Sequence, residues 1–288
     1  MGGVRLTGDL AIDVLTSATL KHLREHWWSD DFTAFLRETL RPRPGNRILG
    51  VGCGTGTAEV SIGRLHLSQI RLVGVDLMLE RVIVARHMTR SHNQRVSFSA
   101  ADACHLPFVS GTFDSTYCVA VLQHIRDVPS AVSEFARVTR DGGRILAVEP
   151  DNIARYWHSS VPAGAAAYDA RTRFFNALEA ATGQHPEGAV GPKLPTFFAE
   201  HGIEPLSVRL FPVSQARIGA PTAVTWNERT SRIQREIDHA PTEPVKALGR
   251  EYLAVLKRYA EEATAAADSF VEIQNTMLFA TVGQKNES

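Results

Sequence analysis

A chain of 288 residues, 44% hydrophobic and 22% charged, is long enough to bury a large core in a globular fold. Its 31 basic and 31 acidic side chains cancel, which disfavours a nucleic-acid partner, because such binders carry a basic surplus or stripe. No apolar run approaches the ~18 residues of a membrane span, and Cys53, Cys104 and Cys118 form neither a CxxC pair nor a zinc cluster. The cysteines read as reduced thiols of a cytoplasmic protein with no metal. The first residues lack a basic stretch followed by an apolar run, so no secretory signal is expected.

The predicted elements alternate. Residues 9–40 are helical with a break at "WWSDD", where Ser29 or Asp30 caps a second helix that ends before "RPRPGN". Then "NRILGVG" predicts a strand, "TAEVSIGRLH" a helix, "IRLVGVD" a strand and "MLERVIVARHMTRSH" a helix. "RVSFSAAD" and "TFDSTYCVAVL" predict the third and fourth strands. "VPSAVSEFARVTR" follows as a helix with Val128, Val132, Phe135 and Val138 on one face, and "GGRILAVEP" predicts a fifth strand. Strands alternating with helices imply a Rossmann-like, doubly wound α/β fold with a mostly parallel sheet. After Pro150 the alternation stops. Residues 151–185 read as partly helical, "LPTFFAEHGI" as a helix, "EPLSVRLFPV" as a strand and 221–266 as mostly helical. "FVEIQNTMLFATVG" closes the chain as a last strand. Phe174, Phe175, Phe197 and Phe198 read as core.

"GVGCGTG" follows the first strand, with Gly52, Gly54 and Gly56 spaced G-x-G-x-G. A dinucleotide site wants G-x-G-x-x-G, and a P-loop wants a Gly-Lys-Ser/Thr that is absent here, so both fit poorly. Asp76 ends the second strand, where one carboxylate can accept two ribose hydroxyls. Asp102 ends the third, where a carboxylate can accept from an adenine amino group. Together these describe an adenosine site.

These residues resemble the class I S-adenosylmethionine-dependent methyltransferases, especially the ubiquinone/menaquinone-type and small-molecule branch. "GVGCGTG", "VGVDLMLERV", "ADACHLPFVSGTFDSTYCVAVLQHI" and "EFARVTRDGGRILAVEP" stand in that family's order between Arg47 and Pro150. The resemblance implies a seven-stranded sheet whose last strand is antiparallel, with a helical cap. It implies that Gly52, Cys53, Gly54 and Gly56 line the methionine and ribose part of the donor. It gives Asp76 the ribose, Leu77 and Met78 the adenine face, Asp102 and Ala103 the adenine edge, and Val119 the amino-acid end. The cofactor is then S-adenosylmethionine, leaving as S-adenosylhomocysteine, with no metal.

One position departs from the family. The first strand usually ends in an acid, and here that position is Gly50. The lost contact is worth ~1.5–3 kcal/mol if fully used. Compensation by another residue is the favoured account. Weaker binding and a non-catalytic relative stay open. If Gly50 abolishes binding, Gly50→Asp is expected to restore it.

For catalysis, His124 in "VLQHI" is a candidate base or positioning group, or merely shapes its loop. Glu149 and Asp151 follow the fifth strand, where an acid can act as a base or bind a cationic acceptor. Asp151 is the bolder candidate, with helix capping as its alternative role. Trp27, Trp28, Tyr156 and Trp157 are candidate substrate contacts, or packing groups. The expected organisation is an N-terminal helical segment (1–45) closing over the cofactor and an α/β core (46–214) with an insertion near 151–185. A helical lid (215–267) and a final core strand (268–288) complete it. The expected partner is a small-molecule acceptor, with no nucleic acid and no membrane; a homodimer stays open. A macromolecule methyltransferase and a nicotinamide oxidoreductase are the competing readings.

Overall fold

The computed structural model describes residues 28–63, 70–91, 96–182 and 190–287. Seven strands form one sheet in the order β3-β2-β1-β4-β5-β7-β6. They are β1 (Arg47–Val51), β2 (Arg71–Asp76), β3 (Val96–Ala100), β4 (Phe113–Val119), β5 (Thr139–Ser159), β6 (Ile203–Ile218) and β7 (Val271–Lys285). The first five run parallel, whereas β7 is antiparallel to both of its neighbours. The doubly wound sheet with an antiparallel last strand in the sequence, inserted between β5 and β6, matches the expectation.

The helices are α1 (Asp30–Leu40), α2 (Thr57–Gly63), α3 (Leu79–Ser91), α4 (Val128–Val138), α5 (Ala163–Thr182), α6 (Leu194–Glu200), α7 (Ala223–His239) and α8 (Glu243–Ala266). Local chemistry sets their ends. Ser29 caps α1 by accepting from the Phe32 N–H, and Asp127 caps α4 by accepting from that of Ser130.

Both faces of the sheet are covered, as the apolar strands require. Leu49 and Val51 of β1 face a core shared with Val132 and Phe135 of α4 and Phe198 of α6. The alternate residue Ile48 faces the other side, where Phe32 and Leu36 of α1 and Ala58 and Ile62 of α2 pack. Gly50 therefore looks toward α1 and α2. Phe174 joins a third core, while Phe175 and Phe197 are only partly buried at core edges.

The sequence reading stopped β5 at Pro150, but the strand continues to Ser159. It pairs with β7 from Arg144↔Gln284 to Ser159↔Glu272, through an irregularity between Asp151 and Tyr156. A long partner strand overrides the local loop signal of proline and aspartate. β4 ends opposite Val148, so β5 carries the chain beyond the carboxyl edge of the parallel strands. There α5, α7 and α8 form a cap with its own core of Phe174, Trp226, Tyr252 and Tyr259. Arg229 of α7 clamps Glu272 of β7 through two contacts of 3.1 and 2.8 Å, and the Tyr259 hydroxyl donates to the same carboxylate at 2.8 Å. That network ties the cap to the sheet.

Candidate functional site

The strand order reverses between β1 and β4: the chain leaves β1 toward β2 and β3, then returns to place β4 on the other side. Ligands of open α/β sheets sit in the crevice at such a switch point, outside the carboxyl ends of the strands. The loops after β1, β2 and β4 meet there.

The turn after β1 is built by three positive-φ glycines, Gly52 (+68°), Gly54 (+54°) and Gly56 (+87°). At Gly54 an added Cβ would meet nothing within 4 Å. Its left-handed backbone borders open space, so the turn offers bare main chain to whatever approaches. Asp76 locks this turn to the end of β2. Its carboxylate, 6% exposed, accepts from the Gly54 N–H at 2.9 Å and from the Met78 N–H at 3.0 Å. The Cys53 N–H reaches the Val75 carbonyl at 2.8 Å. Leu77 stands 69% exposed beside them, a large apolar side chain turned to solvent. Met78 is half-buried.

The loop after β4 is organised by Glu149, fully buried near the end of the parallel part of β5. Its Oε1 accepts from the N–H groups of Val121 (2.8 Å) and Leu122 (2.9 Å), and its Oε2 from that of Gln123 (3.2 Å). Burial pushes this carboxyl up to about 7, against the pull of those donors. Glu149 therefore does not face an acceptor, as its position in the sequence suggested; it is the anchor of a neighbouring loop. Val119, half-buried, ends β4 just before this loop. His124 closes the short 3₁₀ turn Leu122–His124 and is exposed at the rim.

Asp102 lies two residues past the end of β3 rather than in it, 51% exposed at the side chain. Its Oδ1 accepts from the Cys104 N–H at 2.9 Å, and His105 Nδ1 stands 3.5 Å from Oδ2. Ala103 is half-buried in the same turn. Asp151 is buried at the β5 irregularity. Tyr156 is exposed, whereas Trp157 stacks on Tyr168 at 5.5 Å and meets Tyr259 edge-on at 5.7 Å inside the cap. Trp28 packs edge-on against Phe32 at 5.3 Å on the α1 core. Trp27 lies outside the described residues.

The structure thus joins Gly52, Cys53, Gly54, Gly56, Asp76 and Met78 in one bonded unit. It places Trp157 and Trp28 in packing contacts.

Sequence reasoning missed Glu59. This first-turn residue of α2 is completely buried, and its Oε1 accepts the Tyr117 hydroxyl at 2.8 Å. Its Oε2 is buried with no hydrogen-bond partner. Burial, aided by the nearby Asp76 charge, pushes the carboxyl up to about 7 against the Tyr117 bond. The folded state then holds this proton more tightly than the unfolded chain does. Its stabilising effect is complete below the ordinary glutamate value of 4.5 and is lost as pH rises through about 7. Glu149 titrates over the same window. Glu59→Gln is therefore expected to roughly halve the fall in stability between pH 5 and 8. Denaturant midpoints across that range check this; an unchanged slope would remove Glu59 as a contributor.

Among the described residues, no cluster of three or more His, Cys, Asp or Glu side chains is arranged to hold a metal ion. No helix there is long and apolar enough to cross a membrane.

Residues 49–147 match the family described as a methyltransferase domain. An O-methyltransferase of Pyrenophora dematioidea is 35% identical over 137 residues, which cover 43% of this chain and 50% of that one. The chain spans about half the length of the curated relatives it matches. A candidate methyltransferase of Bacillus halodurans superposes with TM-score 0.58 at 19% identity, covering 89% of this chain and all of that one. The [4+2]-cyclase SpnF superposes with TM-score 0.52 at 18% identity, covering 90% of this chain and 82% of that one. Likeness at these identities shows the fold alone.

Proposed function

We propose that this chain, whose residues 49–147 match a methyltransferase domain, acts as a class I S-adenosylmethionine-dependent methyltransferase that moves a methyl group from S-adenosylmethionine to a small-molecule acceptor. The observation that carries this reading is the open, positive-φ turn at Gly54 bonded to the buried Asp76 at the switch point. An adenosine-bearing ligand needs a bare backbone beside a fixed carboxylate, and both are present. The orphaned buried Glu59 Oε2 is a second feature that a bound cation would satisfy.

When bound, the donor supplies a methyl group already activated on a sulfonium. The chain's own residues have to bind, align and keep water out. Gly52, Cys53, Gly54 and Gly56 line the donor. Asp76 keeps one lone pair on each oxygen after its two N–H bonds, enough for two ribose hydroxyls. Leu77 and Met78 give the adenine an apolar face, and Asp102 with Ala103 borders its edge. Val119 stands by the amino-acid end. His124 on the rim and Asp151 are the groups available to take a proton, which is required only if the acceptor must lose one. The cap that β5 and β7 carry beyond the parallel strands is the element proposed to bind the small acceptor. The division into a core (46–214) and a helical lid (215–267) is part of this proposal.

Incubation with methyl-labelled donor and a small-metabolite pool, followed by size separation, tests the reading. Label is expected in the small-molecule fraction. Label confined to protein or RNA would overturn the acceptor class, and binding without any transfer would favour a non-catalytic relative.

A further inference from the structure

We propose that Glu59 replaces the acid missing from the end of β1 and holds the ammonium of the donor's amino-acid end. The inference rests on the reading of the glycine turn as an S-adenosylmethionine site. It departs from the family pattern, which puts this carboxylate on the strand itself.

Gly50 lies in register between Gly74 of β2 and Tyr117 of β4. A Cβ added there would stand 2.6 Å from the Tyr117 hydroxyl oxygen and within overlap of Glu59 Oε1. The space above Gly50 is therefore already filled by a carboxylate, delivered from α2 instead of from the strand. The glycine is what makes room for it. The chain has not lost an acid at this place; it has moved the acid's attachment point by nine residues, to the helix that follows the glycine turn.

The carboxylate is held as a ligand group would be. The Tyr117 hydroxyl fixes Oε1, leaving Oε2 buried and unpartnered. Among the described residues no lysine or arginine forms an ion pair with Glu59. The charged and titratable groups around it are Tyr117 on β4, Cys53 in the turn and Asp76 at the end of β2, with Arg81 of α3 close enough to act on Cys53 and one of its guanidinium nitrogens buried without a hydrogen-bond partner. Burial keeps Tyr117 and Cys53 neutral at ordinary pH. Two acids thus adjoin the turn, and the fully buried one lacks a cation. An ammonium is the complement such a site needs. The unliganded carboxyl titrates near 7, so a cation that binds its ionised form has to displace a proton below that pH.

Calorimetry on the whole chain tests this with two probes. S-adenosylhomocysteine carries the ammonium, whereas methylthioadenosine keeps the adenosine and lacks the amino-acid end. Wild-type affinity for S-adenosylhomocysteine is expected to fall about tenfold per pH unit between pH 7 and 5.5. Glu59→Gln keeps the shape and an acceptor for Tyr117. It is expected to weaken that affinity at pH 8 by ten- to a hundredfold, to flatten its pH dependence, and to leave methylthioadenosine unchanged. Gly50→Asp alone is expected to weaken binding, because it drives a second side chain into the Glu59 carboxylate. Equal loss for both probes in Glu59→Gln, or affinity within twofold of wild type, would overturn the proposal. Failure of wild type to bind either probe would instead sink the site reading, and the proposal with it.

Discussion

Asp76→Ala is expected to abolish measurable S-adenosylhomocysteine binding while leaving the protein folded but less stable. The carboxylate does two jobs. It accepts the Gly54 and Met78 N–H groups, and in the proposed function its remaining lone pairs would take a ribose. Losing two charge-assisted bonds to ligand, at roughly 1.5–3 kcal/mol each, corresponds to at least a hundredfold in affinity. Losing the two backbone partners loosens the turn that the ligand must lie against, which adds to the effect. Calorimetric titration and thermal melting separate the two. An Asp76→Ala protein that binds within tenfold of wild type would remove the ribose role and leave Asp76 as a structural clamp only.

Glu149→Ala is the variant expected to cost most stability. It strips three backbone N–H groups of their acceptor at a fully buried position. Each orphaned donor costs about 1–3 kcal/mol, so a total of several kcal/mol is expected after the loop relaxes. Glu149→Gln keeps one acceptor oxygen and should retain part of that. Denaturant unfolding measures both. Equal stability of Glu149→Ala and wild type would show that the loop after β4 finds other partners unaided.

The five parallel strands were legible because each is a short apolar run closed by a turn signal, and because the helices between them are periodic. The glycine turn and Asp76 were legible because main-chain access and a strand-end carboxylate leave marks in spacing. β5 was read too short, since its extension past Pro150 depends on pairing with β7, more than a hundred residues away. Glu149 was noticed and given the wrong job. Nothing in "AVEP" says that a carboxylate turns back to collect three N–H groups from another loop. Glu59 was not noticed at all. Its signal was present in the pairing of a glycine at 50 with a tyrosine at 117, but that pair becomes visible only once β1 and β4 are aligned in register. Gly50→Asp alone is expected not to restore binding, because the space it would use is filled by Glu59 and Tyr117.

Titration of the intact chain with S-adenosylhomocysteine, with NADH as the control, tests the central claim most directly. Saturable one-to-one binding of S-adenosylhomocysteine and none of NADH is the result this account requires. No binding of S-adenosylhomocysteine, or saturable binding of NADH, would contradict the assignment of the glycine turn and Asp76 to the methyl donor.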